Sequence, residues 1–363
     1  MALHARTNQG RAQARGYGRS VKLLVLGGSG FVGRAVVEDG LRRGWTVTTF
    51  NRHAAGVDKR VECLRGDRLR SRDLEAFNAR TWDFVVDTWS GAPRAARDSA
   101  AALADRAGRY LYVSSCSVYA PPPLPGGDES AKTVDAASDA EVGDYASLKR
   151  GSELAIEAAF GDRALFARAG LILGPHEDVG RLPWWLLRMD RGGEVLAPGP
   201  AERALQYVDA RDLARWLLDA AAGGLSGAFN VASRSGHATM GTLLDACREV
   251  TGGQSSLTWV EPGAIRRAGV EPWSQLPIWL PPDHEYRGMH EANVERAHAA
   301  GLRCRPVTDT VKDTWDWLLS VDKQPPLRPD LDPPGLDPAA ERAALAYWND
   351  RSADSSRSVD PAG

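Results

Sequence analysis

The chain lacks any uninterrupted apolar run approaching the roughly 18 residues that would span a membrane, and its N-terminus has no apolar core of a secretory signal. A soluble, cytoplasmic protein without a membrane partner is the expectation. Cysteine is scarce: Cys63, Cys116, Cys247 and Cys304 stand singly, too few for a disulfide framework and without the close Cys or His pairing of a metal or redox site. A reducing compartment fits this, and no metal is expected. An excess of one charge is missing too, since 45 Lys and Arg face 47 Asp and Glu for a net charge of -2. No single-sign block is long enough to act as a polyelectrolyte arm, so nucleic acid is not an expected partner. Internal repeats are absent. What remains is a composition of 43% hydrophobic and 25% charged residues, within the globular range and able to bury one large core or two modest ones.

Residues 1–20 are polar, Arg- and Gly-rich and aperiodic, which predicts a flexible leader. From residue 21 the pattern changes. An apolar run over 21–26 is followed by a glycine cluster and a helix-like segment over 31–43. Strands over 46–50, 83–87 and 110–114 then alternate with helices over 72–78 and 94–107. A Pro, Gly and Asp-rich loop over 121–144 leads to a helix over 146–160 and a sixth strand over 164–173. Such alternation predicts an α/β fold, a Rossmann-type doubly wound parallel sheet with helices on both faces. A dinucleotide-binding domain is assigned to 21–175. Residues 176–321 read as a smaller C-terminal substrate-binding region with returns to the main sheet. The Trp- and Pro-rich stretch 259–284 reads as a lid or pocket wall. Residues 322–363 read as a loose Pro-rich tail carrying a short helix over 338–348.

The glycine cluster Gly27-Gly28-Ser29-Gly30-Phe31-Val32-Gly33 directly follows the first strand and opens the first helix. That context makes the spacing informative. The turn needs positive φ, the second glycine lets backbone approach a pyrophosphate, the third lets helix and strand pack, and the helix N-terminus offers free amides. Gly27, Gly30, Phe31, Val32 and Gly33 are the expected cofactor contacts. The second strand ends at Asn51-Arg52, where proteins preferring NAD usually place a carboxylate for the ribose 2′-hydroxyl. With no acid there, Arg52, helped by Arg34, is suited to a 2′-phosphate, which favours NADP(H) over NAD(H). A solvated Arg52 with NAD as cofactor is the blander alternative. Asp67 stands where a loop after the third strand would meet the adenine amine, or it is an ordinary turn aspartate.

The fifth strand runs into Ser114-Ser115-Cys116-Ser117, which places hydroxyls at the C-terminal edge of the sheet, where open α/β folds bind ligands. Some thirty residues on, Tyr145 and Lys149 sit at i and i+4 near the start of a helix and share one face. An unperturbed tyrosine has a pKa near 10, so acid or base work near neutrality needs roughly 3 units, about 4 kcal/mol, of help from nearby positive charge. Lys149 is the expected source of that help. It is also placed to hold the nicotinamide ribose.

With these residues in hand, the chain resembles an extended or atypical short-chain dehydrogenase/reductase of the NAD-dependent epimerase/dehydratase superfamily over residues 21–320. The resemblance rests on the glycine cluster, Gly66-Asp67, residues 113–119, Tyr145 with Lys149, Arg168 through Gly174-Pro175, and residues 207–214. It implies Ser115 as the catalytic hydroxyl, with Ser114 and Ser117 as fallbacks, and a homodimer as the usual assembly. Nucleotide-sugar members usually carry an Asn and an Arg for the diphosphate, and the corresponding slots here read Leu171 and Leu205. Diphosphate buried against leucines would lack its donors, although Arg203 lies two positions from the second slot.

The leading expectation is therefore a reductase or dehydrogenase acting on a small carbonyl, alcohol or imine compound. Ser115, Tyr145 and Lys149 would form the catalytic set, with Trp89, Ser117, Trp184 and Trp273 as candidate pocket residues. Trp185 and Trp279 could equally line that pocket or belong to the core. An epimerase or dehydratase using bound NAD(P) catalytically is the second reading. A non-catalytic NADP(H) sensor is the third, which an intact Ser, Tyr and Lys set argues against.

Overall fold

A computed structural model describes residues 20–53 and 58–357, with side chains to residue 350. The expected leader lies outside the described residues except for Ser20. The chain begins with β1 (Lys22–Leu26), α1 (Phe31–Arg42), β2 (Thr46–Asn51), β3 (Glu62–Arg65), β4 (Trp82–Asp87), α2 (Pro93–Leu103), β5 (Ala107–Ser115), α3 (Tyr145–Phe160) and β6 (Ala164–Ala169). There follow β7 (Leu171–Leu173), α4 (Arg181–Asp190), β8 (Gly193–Pro198), β9 (Ala204–Leu205), β10 (Tyr207–Asp209), α5 (Ala210–Ala222) and β11 (Gly227–Val231). The remainder comprises β12 (Ala238–Thr239), α6 (Met240–Val250), β13 (Ser255–Val260), α7 (Pro262–Arg267), α8 (Glu295–Ala299), α9 (Val307–Ser320) and α10 (Pro338–Arg357).

Seven parallel strands form the central sheet in the order β3-β2-β1-β4-β5-β6-β11. Successive residues of β1 show why both faces must be covered: Leu23 and Val25 pack into the layer of α1 and α5, while Leu24 and Leu26 pack into the layer of α2 and α3. A strand apolar on both sides can be stable only between two helical layers. Strand order reverses between β1 and β4, so the crevice at their C-terminal ends is where a ligand is held in such sheets.

Three local expectations are corrected. The helix expected to 107 ends at Leu103, because Ala107 already pairs with Trp82 in the sheet and Gly108 lies tight against the Asp83 carbonyl. The segment expected as a helix over 72–78 is a 3₁₀ turn, Ser71–Phe77. The apolar run 164–173 is two strands rather than one: its second half leaves the main sheet at Gly170 and pairs with β10. A continuous apolar run records burial but not the identity of the partner strand.

A separate core lies beyond the sheet, built from α4, α6, α9, β8 and the end of the chain. Trp185 and Trp279 are fully buried there, with their indole N–H groups donated to the carbonyls of Pro277 and Gly199. Much of 259–284 is thus core rather than lid. The chain end also belongs to this core: Leu336, Ala344 and Leu345 are buried, and Glu341 on α10 takes a buried ion pair from Arg188 on α4. Leaving either partner alone in that environment would cost about 3–5 kcal/mol, so α10 is bound by charge as well as by apolar contact.

Candidate active site

The turn between β1 and α1 has the shape a dinucleotide requires. Gly27 has φ 96°, and a Cβ at Gly33 would run into the Gly27 carbonyl. At Gly30 the situation differs: a Cβ there would meet nothing nearer than the Gly27 oxygen at 3.6 Å, so the protein itself does not demand glycine. An open face at the N-cap of α1, which has no side-chain cap, leaves the amides around Phe31, Val32 and Gly33 for an anion. These residues fit a dinucleotide pyrophosphate.

Around this turn the sequence-selected side chains divide. Asn51 is buried, and its Oδ1 accepts the Ser29 backbone N–H at 3.3 Å and the Ser29 hydroxyl at 3.4 Å, so it braces the loop from below. Arg34 folds over the loop and donates Nε to the Ser29 carbonyl at 2.9 Å. Arg52 is exposed at the end of β2 and forms no ion pair among the described residues. Asp67 spends Oδ1 on the Leu69 N–H within its own turn.

Across the crevice, α3 starts at Tyr145, capped by Asp144, and presents the phenol at the C-terminal end of β5. Tyr145 remains about half exposed, with Ser115 as its side-chain hydrogen-bond partner. Ser115 Oγ also accepts the Ser117 N–H at 3.1 Å. Lys149, one turn along, is almost wholly buried; its Nζ donates to the carbonyls of Trp89 at 2.6 Å and Val113 at 2.7 Å. The ammonium lies 4.7 Å from the Tyr112 ring centroid and 6.0 Å from that of Tyr145. Burial pulls its pKa down to about 7, against the pull of Asp87 and Glu153 in the other direction.

The charges acting on the phenol correct one expectation. Loss of water raises the Tyr145 pKa, and what opposes the rise is the Ser115 hydrogen bond and the positive charge of Arg181 and Arg328, not Lys149. Arg181 opens α4, and its guanidinium lies 5.3 Å from the Trp273 ring centroid. Arg328 arrives from the tail, where its backbone N–H donates to the Asp178 carbonyl at 2.9 Å and Leu327 packs against Gly180.

Ser114 is committed elsewhere, donating its hydroxyl to Glu153 at 2.7 Å. Ser117 is exposed on the turn after β5, and Trp184 packs against Gly335 of the tail and edge-on to Trp185. Trp273 has φ 67° and stacks with Arg181. Trp89 turns its ring to the Arg68 guanidinium and its carbonyl to Lys149. Leu171 and Leu205 are both core residues, and Arg203 is held by the Leu280 carbonyl and Glu291.

Sequence reasoning missed the pair beneath Trp89. Arg68 grips Asp87 through two hydrogen bonds of 2.6 Å, and Asp87 also accepts the Tyr110 hydroxyl at 2.6 Å and the Trp89 N–H at 2.9 Å. Burial works against the Asp87 charge, but Arg68 and these donors outweigh it and hold the carboxyl below its ordinary range. The pair therefore fixes the backbone whose carbonyl receives Lys149. The signal was an aspartate ending an otherwise apolar strand, where only a buried partner makes the charge tolerable.

Comparison with known proteins gives a family and a fold. The family model described as the NAD dependent epimerase/dehydratase family matches residues 23–232, more than half of the chain. The sterol-4-alpha-carboxylate 3-dehydrogenase, decarboxylating, of Mus musculus is 34% identical over 77 residues, 20% of this chain and 21% of that protein, so the chain spans about a fifth of that relative's length. The UDP-glucose 4-epimerase of Thermus thermophilus in complex with NAD has a similar fold, with TM-score 0.59 and 20% identity over 82% of this chain and 99% of that one. The UDP-N-acetylglucosamine 4-epimerase of Methanobrevibacter ruminantium in complex with UDP-N-acetylmuramic acid aligns with TM-score 0.63 and 17% identity over 84% and 99% of the two chains.

Proposed function

Because the chain belongs to the NAD-dependent epimerase/dehydratase family, we propose that it is an NADP(H)-dependent oxidoreductase of the short-chain dehydrogenase type, exchanging hydride with a small carbonyl, alcohol or imine compound. The observation that carries this reading is the meeting of the Tyr145 phenol with the Ser115 hydroxyl and the buried Lys149 across the crevice from an open glycine turn. When bound, the nicotinamide supplies or accepts the hydride. The amides at the start of α1 hold the pyrophosphate, and Lys149, with two of its three N–H bonds spent on carbonyls, keeps one for the ribose. Ser115 orients the substrate oxygen. Tyr145, its pKa raised by burial, carries its proton at neutral pH and so acts as the acid when a carbonyl is reduced. In the reverse direction Arg181 and Arg328 favour the phenolate.

Support for NADP(H) comes from the end of β2, where no carboxylate stands, Asn51 is turned toward the loop and Arg52 is exposed beside it. Two features argue against a nucleotide-sugar substrate. Leu171 and Leu205 fill core positions where such members carry diphosphate donors, and Arg203 is tied to Leu280 and Glu291. The test is a screen of small carbonyl compounds with each cofactor, following nicotinamide oxidation against product formed. Equal moles of NADPH consumed and alcohol or amine produced are expected. Isomerised product without net cofactor consumption would overturn the reading in favour of catalytic cofactor use.

A further inference from the structure

Resting on that reading of the site, we propose that Arg181 and Arg328 form a receptor for an anionic group of the substrate, a carboxylate or a phosphate, beside the reacting carbon. The two guanidinium groups come from segments that fold against each other. Leu327 packs on Gly180, the residue before Arg181, and the Arg328 backbone bonds Asp178. Both cations act on the Tyr145 phenol, so both lie within electrostatic range of the point where the substrate oxygen is held.

Arg181 has no carboxylate partner among the described residues. Its guanidinium stacks on Trp273 and is largely withdrawn from water, which lowers its pKa. A desolvated, unpaired guanidinium is costly unless an anion arrives to meet it. Arg328 gives Nε and Nη2 to Asp330, an exposed carboxylate, and its Nη1 has no hydrogen bond among the described residues. The other acids nearby carry charge reluctantly. Burial pushes Glu177 up to about 7 and raises Asp178. Glu177 also already accepts the first amides of α4, at Arg181 and Leu182, so the helix terminus is not the receptor. The balance of charge facing the phenol is therefore positive.

The geometry explains why the tail is anchored so firmly. Arg328 has its position only because the strap from α9 to α10 crosses the mouth of the crevice, held by Leu336 in the core and by the pair of Glu341 with Arg188. The strap lies outside residues 23–232, so the receptor is a feature this chain adds to the family's fold.

The experiment is calorimetric titration of NADPH-saturated protein with malonate and, separately, with inorganic phosphate, in wild type, Arg181→Gln, Arg328→Gln and the charge-keeping Arg181→Lys. Saturable binding of at least one anion is expected, at least tenfold weaker in each glutamine variant and intermediate in Arg181→Lys. Malonate binding without phosphate binding would assign a carboxylate, and the converse a phosphate ester. Circular dichroism on each variant separates local loss from unfolding. No saturable binding of either anion to wild type, or affinities unchanged in folded glutamine variants, would overturn the receptor. NADPH affinity in the same samples keeps the two claims apart: cofactor binding with no anion binding removes only the receptor, whereas anion binding with no cofactor binding removes the oxidoreductase reading.

Discussion

The sheet half of the molecule builds its share of the site from neighbours in sequence, while the C-terminal half builds its share from residues that meet only after folding. Gly27 to Gly33 lie in one turn, and Tyr145 and Lys149 lie one helical turn apart. Arg181 and Arg328 instead depend on a strap that leaves α9, crosses the crevice and returns as α10. The first arrangement supplies cofactor binding and proton transfer. The second sets the charge around the phenol. Reaction type in this fold is thus written locally and selectivity by tertiary closure.

Substitutions on each side sharpen the contrast. The largest effect belongs to Tyr145→Phe, which removes the proton donor while leaving the glycine turn untouched. Turnover should fall by roughly two to four orders of magnitude, with NADPH affinity measured by fluorescence titration nearly unchanged; equal turnover would take the phenol out of the mechanism.

Next come the two buried ion pairs, one on each side. Arg68→Met strands Asp87 and Glu341→Ala strands Arg188, so each should lower unfolding free energy by about 3–5 kcal/mol in urea titration. Their functional signatures should differ. Losing Arg68 disturbs the Trp89 carbonyl that holds Lys149 and should weaken cofactor binding, whereas losing Glu341 loosens the strap and should spare it. Identical effects on NADPH affinity would erase the distinction between the two halves.

A smaller change is expected from Arg52→Ala, about tenfold weaker NADPH binding, equivalent to about 1.4 kcal/mol, with NADH binding unaltered. Tighter NADH than NADPH binding in wild type, with neither affinity altered by the substitution, would end the NADP(H) assignment. The subtlest effect is on pH. Lys149 titrates at about 7 in the fold against an ordinary 10.5, so between those values the unfolded chain binds the extra proton. Stability should therefore rise with pH across that window, being lowest below it. Urea midpoints of wild type relative to Lys149→Met should climb from pH 7 to 10, and a flat difference would contradict the buried ammonium.

What could be read in advance follows the same division. The glycine turn was legible because positive φ and close packing leave a local composition signature, and the alternation of strand and helix exposed a sheet covered on both faces. Arg68 and Asp87 were not legible as a pair, since nothing in their spacing says that they are buried together. The break at Gly170 was hidden inside an apolar run. Low apolar periodicity and many prolines made residues 322–337 look loose, yet a few fixed points, Arg328 on Asp178 and Gly335 on Ser274, order the strap through contacts that composition does not encode.

Net hydride transfer assisted by Tyr145 is the central claim, and isotope transfer tests it most directly. NADPH carrying deuterium at the transferable C4 position should be incubated with a carbonyl substrate found by the screen, and the product examined by mass spectrometry. Deuterium on the carbinol carbon, one equivalent per cofactor oxidised and nearly none with Tyr145→Phe, is the expected result. Product bearing solvent hydrogen at that carbon, or label remaining on the cofactor while substrate is isomerised, would contradict it.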